Sequence, residues 1–370
     1  MFFDKPVHTG SSSGLERIAF ARVTSKNPKA RRKTLKKHIG PAQLPQCSPV
    51  ELGLLGFSES DISDIKTGYL GIAEQEMELA LKNKVDIIFK EDEFYPPSLA
   101  EIYDPPDFIY ALGNKDILKT QKIAIVGSRK GSPYGWWCLN EILPDLCAAG
   151  LTVVSGMAYG IDSMAHQIVL KLKGNTIGVN AGGLLHLYPP GNTGIIHAII
   201  RNGCIITEFG LNTVPRPFYF PIRNRIIAGI SRSILVVEAA LKSGSLITAR
   251  LGLEQNRDIF AIPGRIDSPL SQGTNYLIQQ GARLITTSKD ILDEYGIVST
   301  SAKKTMDVEL SLNEKQLLAF MEDGSIKTVD EFVDRFDFSV SEIISMLMGL
   351  VLKNVVMEES GGFKYIRRLL

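Results

Sequence analysis

The sequence predicts an α/β fold with a doubly wound, mostly parallel sheet, and two observations support this prediction. From Lys122 onward, short and uninterrupted apolar runs recur along the chain, among them KIAIVG, LTVVSG and SILVVEA. Uninterrupted apolarity is typical of strands that are buried on both faces. Helical stretches of about a dozen residues separate most of these runs, and this alternation indicates a parallel sheet with helices on both sides.

The other predicted strands of the sheet are TIGVN, CIITE, DIFAIPG and RLITT. Together the runs predict one domain over residues 111–297, followed by a polar linker over residues 298–307. Residues 308–370 show three helical periods and then two short apolar segments, VVMEE and FKYI, around the turn Ser360-Gly361-Gly362. Such a pair of segments indicates a hairpin. Three helices followed by a hairpin predict a C-terminal winged-helix domain.

The chain before residue 111 predicts a different architecture. Residues 1–14 are polar and have no apolar period, so we expect them to be disordered. Residues 15–110 predict a small helical N-terminal domain, in which Ser48 and Ser58 are expected to cap helices. The run VDIIF is a candidate strand, and the prolines at 96–97 and 105–106 are expected to interrupt regular structure after it.

Composition narrows the possible classes of protein. The sequence contains no apolar run of eighteen residues and no secretory signal at its start, so a cytoplasmic protein without membrane contact is expected. The four cysteines lack metal-ligand spacing, which predicts reduced thiols and no bound metal. The net charge of +1 conceals an uneven distribution of basic and acidic residues along the chain. Residues 122–300 carry sixteen basic and eleven acidic side chains. This segment has the charge to present a basic face to a polyanion.

Three predicted junctions between a strand and the following helix are rich in small residues, and they cover residues 127–135, 155–162 and 243–248. Ligands of parallel sheets bind where strands end and helices begin. In the first junction, Ser132 is expected to cap the helix and Pro133 suits its first turn. The free amides of that helix end are expected to face a phosphate, and Arg129 adds a forked donor.

Each junction alone is equally compatible with tight packing between a strand and a helix. Three junctions at one edge of a sheet favour an anion site. The chain contains no Gly-Lys-Ser/Thr of a Walker loop and no GxGxxG of a dinucleotide site. Both absences argue against the common nucleotide-binding enzymes of this fold.

A basic and aromatic segment, PRPFYFPIRNRIIAGIS, follows the predicted strand CIITE. Its arginines include Arg216, Arg223 and Arg225, which crowd around Phe218, Tyr219 and Phe220. Guanidinium groups for phosphates and ring faces for bases suit single-stranded nucleic acid. The alternative is that the rings lie in the core and the arginines pair with acidic side chains, and spacing alone does not separate the two.

Several of these segments resemble the DprA/Smf family of DNA-processing proteins. The resemblance is ordered and dense over residues 122–295, where it includes a Tyr188-Pro189 turn and the motifs GSRKGSPYG, SGMAYGIDSMAH, FPIRNRIIAGIS, VVEAALKSGSLITAR and AIPGRIDSPLSQGTNYLIQQGA. It implies a Rossmann-like sheet domain, an N-terminal region similar to SAM or helix-hairpin-helix domains, and the C-terminal winged helix of the longer members.

The resemblance also implies a function. Members bind and protect single-stranded DNA, load the recombinase RecA during natural transformation, form homodimers through the Rossmann-like domain, and have no established catalysis or cofactor. Carried over by motif, the residues expected to bind DNA are Gly127, Ser128, Arg129, Ser155, Gly156, Arg216, Phe220, Arg223 and Asn224.

Two other functions remain open on this fold: a LOG-type nucleotide phosphoribohydrolase and a nucleotide-sensing protein. The segment KSGSLITAR lacks the paired glycines and the downstream glutamate that the hydrolases need. We expect His166 to be packed and Asp162 to serve a turn or cap, and Glu238 has no evident carboxylate partner. The predicted third helix of the winged-helix domain has one Lys and one Glu, which favours a protein contact or a structural role over duplex reading.

Overall fold

The computed structural model divides the chain into two compact units, Met1–Ser299 and Thr300–Leu370. The residues that the structure describes are 12–25, 27–297, 311–352, 355–359 and 361–365. The predicted linker 298–307 lies outside them. So does the predicted disordered segment 1–14, apart from residues 12–14, which begin the first helix.

The first unit contains a nine-stranded sheet. Its strands are β1 (Asp86–Phe89), β2 (Phe108–Gly113), β3 (Lys122–Val126), β4 (Thr152–Ser155), β5 (Thr176–Val179), β6 (Cys204–Thr207), β7 (Ser233–Val236), β8 (Asp258–Ala261) and β9 (Arg283–Leu284). The helices of this unit are α1 (Ser12–Ser25), α2 (Pro28–Lys36), α3 (Pro49–Leu55), α4 (Glu59–Thr67), α5 (Tyr69–Lys82), α6 (Pro97–Ala100), α7 (Pro133–Ala148), α8 (Ile161–Lys171), α9 (Thr193–Asn202), α10 (Tyr219–Ile230), α11 (Gly244–Glu254), α12 (Gln272–Gln279) and α13 (Ser288–Glu294).

The sheet is mostly parallel, which confirms the predicted α/β class. Its strand order is β1-β2-β6-β5-β4-β3-β7-β8-β9. Within this sheet, β2 runs opposite to the other eight strands. Because β3 pairs with β4 on one side and with β7 on the other, the chain reverses its direction of travel across the sheet at β3. Open α/β sheets bind their ligands at the carboxyl ends of strands beside such a reversal.

The central strands are buried on both faces, as their uninterrupted apolarity predicts. In β3, Ile123 and Ile125 enter one core with α7, α8 and α13, whereas Ala124 and Val126 enter another with α10 and α11. The strand β2 was not predicted, because the prolines at 105–106 precede it. It nevertheless pairs with β6 from Tyr110 to Gly113 and buries most of its side chains.

The helices α1 to α5 pack against the sheet through a separate core that includes Phe108 and Tyr110 of β2. Ser48 and Ser58 cap α3 and α4 as predicted, and each forms a reciprocal capping box with the acidic residue three positions later. A buried ion pair also joins these helices. Arg22 Nε lies 3.0 Å from Glu76 Oε2, and Glu76 Oε1 accepts the backbone N–H of Leu211 at 2.5 Å.

The second unit has helices α14 (Leu312–Phe320), α15 (Val329–Arg335) and α16 (Val340–Leu352), followed by strands β10 (Val356–Glu359) and β11 (Gly362–Tyr365). The two strands form an antiparallel hairpin. Phe332 and Leu347 are completely buried in the core of this unit. Three helices and a hairpin therefore occur in the predicted order.

We predict that Glu76→Ala strongly destabilises the first unit. The substitution leaves Arg22 without its buried partner, and breaking such a pair costs about 3–5 kcal/mol. Urea unfolding followed by tryptophan fluorescence measures this, since both tryptophans, Trp136 and Trp137, lie in the first unit. Glu78→Ala removes an exposed carboxylate from the same helix and is expected to change the free energy of unfolding by less than about 0.5 kcal/mol. Equal stabilities would contradict a structural role for the pair.

Candidate nucleic-acid interface

The three small-residue junctions meet at the carboxyl edge of the sheet, at the ends of β3, β4 and β7. Backbone hydrogen bonds join the first junction to the second, and to Glu238, which lies between β7 and the third junction. Ser128 N–H donates to Glu238 O at 2.7 Å, and Ile161 N–H donates to Ser128 O at 3.1 Å. The first and second junctions therefore converge as predicted. Gly127 permits this convergence, because a Cβ atom at this position would lie 2.6 Å from Ile161 Cγ1.

The first junction starts α7 as predicted, but its helix end is not free. Ser132 caps α7 through its side chain and Pro133 occupies the first turn. The Ser132 N–H donates to Glu238 Oε2 at 2.8 Å, and the Ser132 hydroxyl donates to Glu238 Oε1. Glu238 is almost fully buried. The expectation that this helix end faces a phosphate is thus wrong, because the chain's own carboxylate already occupies the position.

The second junction is buried around the peptide group of Gly156. Ser155 is inaccessible, and its hydroxyl donates to Ile125 O at 2.7 Å. Asp162 Oδ2 accepts the Gly156 N–H at 3.1 Å, and Arg223 Nη1 donates to Gly156 O at 2.9 Å. We call these two contacts the Gly156 clamp. A Cβ atom on Gly156 would lie 2.7 Å from Arg223 Nη2 and 2.8 Å from Asp162 Oδ2, so the clamp leaves no room for a side chain.

Arg223 belongs to the interior and not to the surface. It is 4% exposed, and its guanidinium also donates to Val179 O and, through Nε, to Asn224 Oδ1 at 3.0 Å. Burial lowers the pKa of Arg223 to about 10, and the charge of Asp162 opposes this shift. Burial raises the pKa of Asp162, while Arg223 and the clamp hydrogen bonds oppose it. The expectation of a phosphate contact for Arg223 is corrected, because its donors are used inside the protein.

Other predicted residues do reach solvent at this edge. Arg129 and Arg216 are exposed, whereas Gly127, Phe220 and Asn224 are half-buried. Ser128 is 9% exposed, and its hydroxyl accepts the Lys130 N–H at 3.1 Å.

Phe220 lies at the centre of a cluster formed by three parts of the chain. The Arg129 Cζ atom is 5.3 Å from the centroid of its ring, and the Tyr188 ring meets it edge-on with centroids 5.5 Å apart. The Arg223 Cζ atom lies 5.9 Å from the same ring. Neither Arg129 nor Lys130 forms an ion pair with any residue that the structure describes. We call Arg129, Tyr188 and Phe220 the Arg129–Phe220 surface.

The structure separates the two interpretations of the basic and aromatic segment residue by residue. Tyr219 packs in a small core against Phe209, with ring centroids 4.4 Å apart. Arg225 is bound by the buried carboxylate of Glu208 and lies 3.8 Å from Asp104. Tyr219, Arg223 and Arg225 therefore have structural roles. Arg216 and Phe220 remain accessible to a ligand.

Two aromatic side chains at this edge were missed by reasoning from the sequence. Tyr188 is 38% exposed and contacts Phe220, although it is thirty-two positions away in the chain. Tyr159, which follows β4, is 45% exposed. The Tyr-Pro turn was visible as a motif, but its contact with Phe220 depends on the fold.

The remaining polar candidates have structural roles. Ser243 caps α11, and its hydroxyl accepts the Ser245 N–H at 3.3 Å. His166 is buried as expected, with Nδ1 2.7 Å from Thr176 Oγ1, and burial lowers its pKa to about 3. No group of three metal-ligating side chains occurs among the described residues. Within the same parts of the chain, every helix is too short or too polar to span a bilayer.

Comparison with known proteins shows the family to which this chain belongs. The model of the family "DNA recombination-mediator protein A" matches residues 86–296, which include every strand of the nine-stranded sheet and the whole candidate surface. The chain belongs to this family. Among its curated relatives, DNA processing protein DprA of Bacillus subtilis is 44% identical over 54% of this chain and 68% of the relative. Protein Smf of Escherichia coli is 36% identical over 76% of this chain and 78% of the relative.

Two solved structures of family members resemble this one. DprA from Streptococcus pneumoniae has a TM-score of 0.60 at 34% identity, over 77% of this chain and 98% of that chain. DprA from Helicobacter pylori has a TM-score of 0.52 at 30% identity, over 56% of this chain and 95% of that chain. The latter structure was reported for its single-stranded DNA binding mode.

We predict that Gly156→Ala destabilises this DprA/Smf-family chain. The added methyl group overlaps both side chains of the Gly156 clamp, and overpacking of this kind costs about 1–3 kcal/mol. Gly244→Ala is the control, because a Cβ atom at Gly244 meets nothing within 4 Å. Its free energy of unfolding is expected to stay unchanged or to rise by up to about 1 kcal/mol. If urea unfolding finds the two variants equally stable, the clamp is looser than its geometry indicates.

Proposed function

We propose that this chain binds single-stranded DNA on the Arg129–Phe220 surface. The observation that carries the proposal is the position of Arg129, an exposed guanidinium without an ion-pair partner among the described residues, beside the half-buried ring of Phe220. A cation next to a ring face suits a nucleotide, since the guanidinium binds the phosphate and the ring stacks on the base. The single-strand binding reported for the Helicobacter pylori relative supports the same assignment.

The proposed site has an outer and an inner part. Arg129, Arg216, Phe220 and Asn224 form the outer part, beside Gly127 and Ser128. Ser155, Gly156 and Arg223 form the inner part, which positions the loop after β4 and contacts the ring of Phe220 through Arg223. Stacking contributes about 1–3 kcal/mol per base and does not read sequence, so little sequence preference is expected.

The proposal includes no covalent chemistry. Burial raises the pKa of the Cys138 and Cys204 thiols to about 12 and that of Cys147 to about 11, which is the reverse of nucleophile activation. Glu238 is bound by Ser132, and His166 is sealed in the interior. These environments support a binding protein over an enzyme.

The position of Glu238 argues against a nucleotide-processing or nucleotide-sensing function. Nucleotide proteins of this fold place a phosphate at the helix start beside the reversal of strand order. In this chain the Glu238 carboxylate accepts from Ser132 at that helix start, and a phosphate would meet its negative charge. Incubation with nucleoside monophosphates is therefore expected to yield neither binding nor free base.

Further parts of the proposal rest on the family resemblance. They are RecA loading during transformation or recombination, homodimer formation through the sheet domain, and a cytoplasmic location. The division into a helical region 15–110, a Rossmann-like domain 111–297 and a winged-helix domain 308–370 is proposed on the same basis. For the winged helix we propose a protein contact, because α16 exposes Val340, Ile344 and Met348 along one side.

We predict that Arg129→Ala weakens single-strand binding at every sequence. A charge-assisted hydrogen bond contributes roughly 1.5–3 kcal/mol. Loss of one phosphate contact is expected to reduce the slope of log K against log salt by about 0.7. Fluorescence anisotropy of a labelled oligothymidylate, titrated at several salt concentrations, measures both quantities. Arg201→Ala is the matched control, because Arg201 is exposed at the end of α9, at the opposite edge of the sheet.

In the same experiment, Phe220→Ala separates stacking from charge. Its affinity is expected to fall by about 1–3 kcal/mol while the salt slope stays near that of the unaltered protein, because a ring displaces no counterions. An unchanged salt slope in Arg129→Ala would contradict the phosphate role of Arg129.

A further inference from the structure

A second pair of aromatic rings is exposed at the same edge of the sheet. Tyr134 and Trp137 lie in the first turns of α7, directly after the Arg129 loop, and they are 40% and 38% exposed. Their rings stack with centroids 6.0 Å apart and planes inclined by 20°. The neighbouring Trp136 behaves differently, because it packs against the core beneath α7. Trp137 is therefore exposed although the tryptophan next to it in the chain is packed.

The strand order places this pair farther along the edge that carries the Arg129–Phe220 surface. Tyr188 follows β5, Arg129 follows β3, and the Tyr134 hydroxyl donates at 2.7 Å to the carbonyl of Pro263, which follows β8. Four strand spacings separate β5 from β8. At about 4.8 Å per spacing the edge between them is about 19 Å long, which is room for several nucleotides.

Positive charges lie between the two aromatic positions. Lys130 is exposed and follows Arg129, and Lys242 is exposed in the loop after β7, which lies between β3 and β8 in the sheet. Among the residues that the structure describes, neither lysine has a carboxylate partner. Rings spaced along a line of unpaired cations match the pattern that binds an extended single strand.

We propose that Tyr134 and Trp137 form a second stacking platform for the same DNA strand, which runs from Phe220 across Lys130 and Lys242 to Trp137. This inference rests on the proposed function and deepens it, since it specifies the path of the DNA across the protein and the length of the binding site. Phe220 receives a base at one end of the edge, and Trp137 receives a base at the other.

The two tryptophans of the chain allow a direct test. Trp136→Phe leaves Trp137 as the single tryptophan, and Trp137→Phe leaves Trp136. Each variant is titrated with oligothymidylates of about 2 and about 20 nucleotides. The shorter one occupies a single platform because it cannot span about 19 Å, and the longer one exceeds the site sizes of single-strand binders. The anisotropy of a label on the oligonucleotide reports binding independently of tryptophan emission.

We expect the longer oligonucleotide to quench the emission of Trp137 in the Trp136→Phe protein and to leave Trp136 unchanged in the Trp137→Phe protein. Trp137→Ala is expected to bind the longer oligonucleotide about tenfold more weakly and the shorter one equally well.

Two results would overturn the inference while leaving the proposed function intact. One is constant Trp137 emission while anisotropy shows that the longer oligonucleotide is bound. The other is Trp137 emission that changes on protein dilution and not with DNA, which would assign the platform to contact between two copies of the chain. If neither oligonucleotide binds the unaltered protein, the proposed function fails and this inference fails with it.

Discussion

The candidate surface depends on how the peptide group of Gly156 is held. Asp162 accepts its N–H, and Arg223 donates to its carbonyl. The same guanidinium donates to Val179 at the end of β5, and its Cζ atom lies 5.9 Å from the centroid of the Phe220 ring. One buried side chain thereby connects the ends of β4 and β5 to the start of α10. Burial of charged groups is costly unless they are well satisfied, so these hydrogen bonds are what allow Arg223 to occupy the interior.

Arg129 and Lys130 at the carboxyl edge differ from three paired arginines of α1 and α2. Arg17, Arg22 and Arg31 all have carboxylate partners. At the carboxyl edge, Arg129 and Lys130 have none among the described residues, and the nearby carboxylate of Glu238 is turned inward onto Ser132. A chain with a net charge of +1 can therefore present a local cationic track.

The sequence predicted the features that depend on local pattern. Uninterrupted apolar runs predicted the parallel strands, and Ser48, Ser58 and Ser132 predicted three helix starts. It failed where contacts join distant segments. Arg223 occupies a polar stretch of a helix and looked like a surface residue, whereas its burial depends on carbonyls at Gly156 and Val179. Glu238 lies 106 positions from Ser132, so its occupation of the helix end leaves no local signal.

The central claim is that a single strand lies across the ring of Phe220, beside the loop that the Gly156 clamp holds. Photocrosslinking with an oligothymidylate in which halogenated uracil replaces thymine, followed by mass-spectrometric mapping of the adducts, tests this most directly. The account predicts adducts on Phe220 or Tyr188, the two rings in contact at this edge. Adducts confined to the basic helix α2 or to the second unit would contradict it.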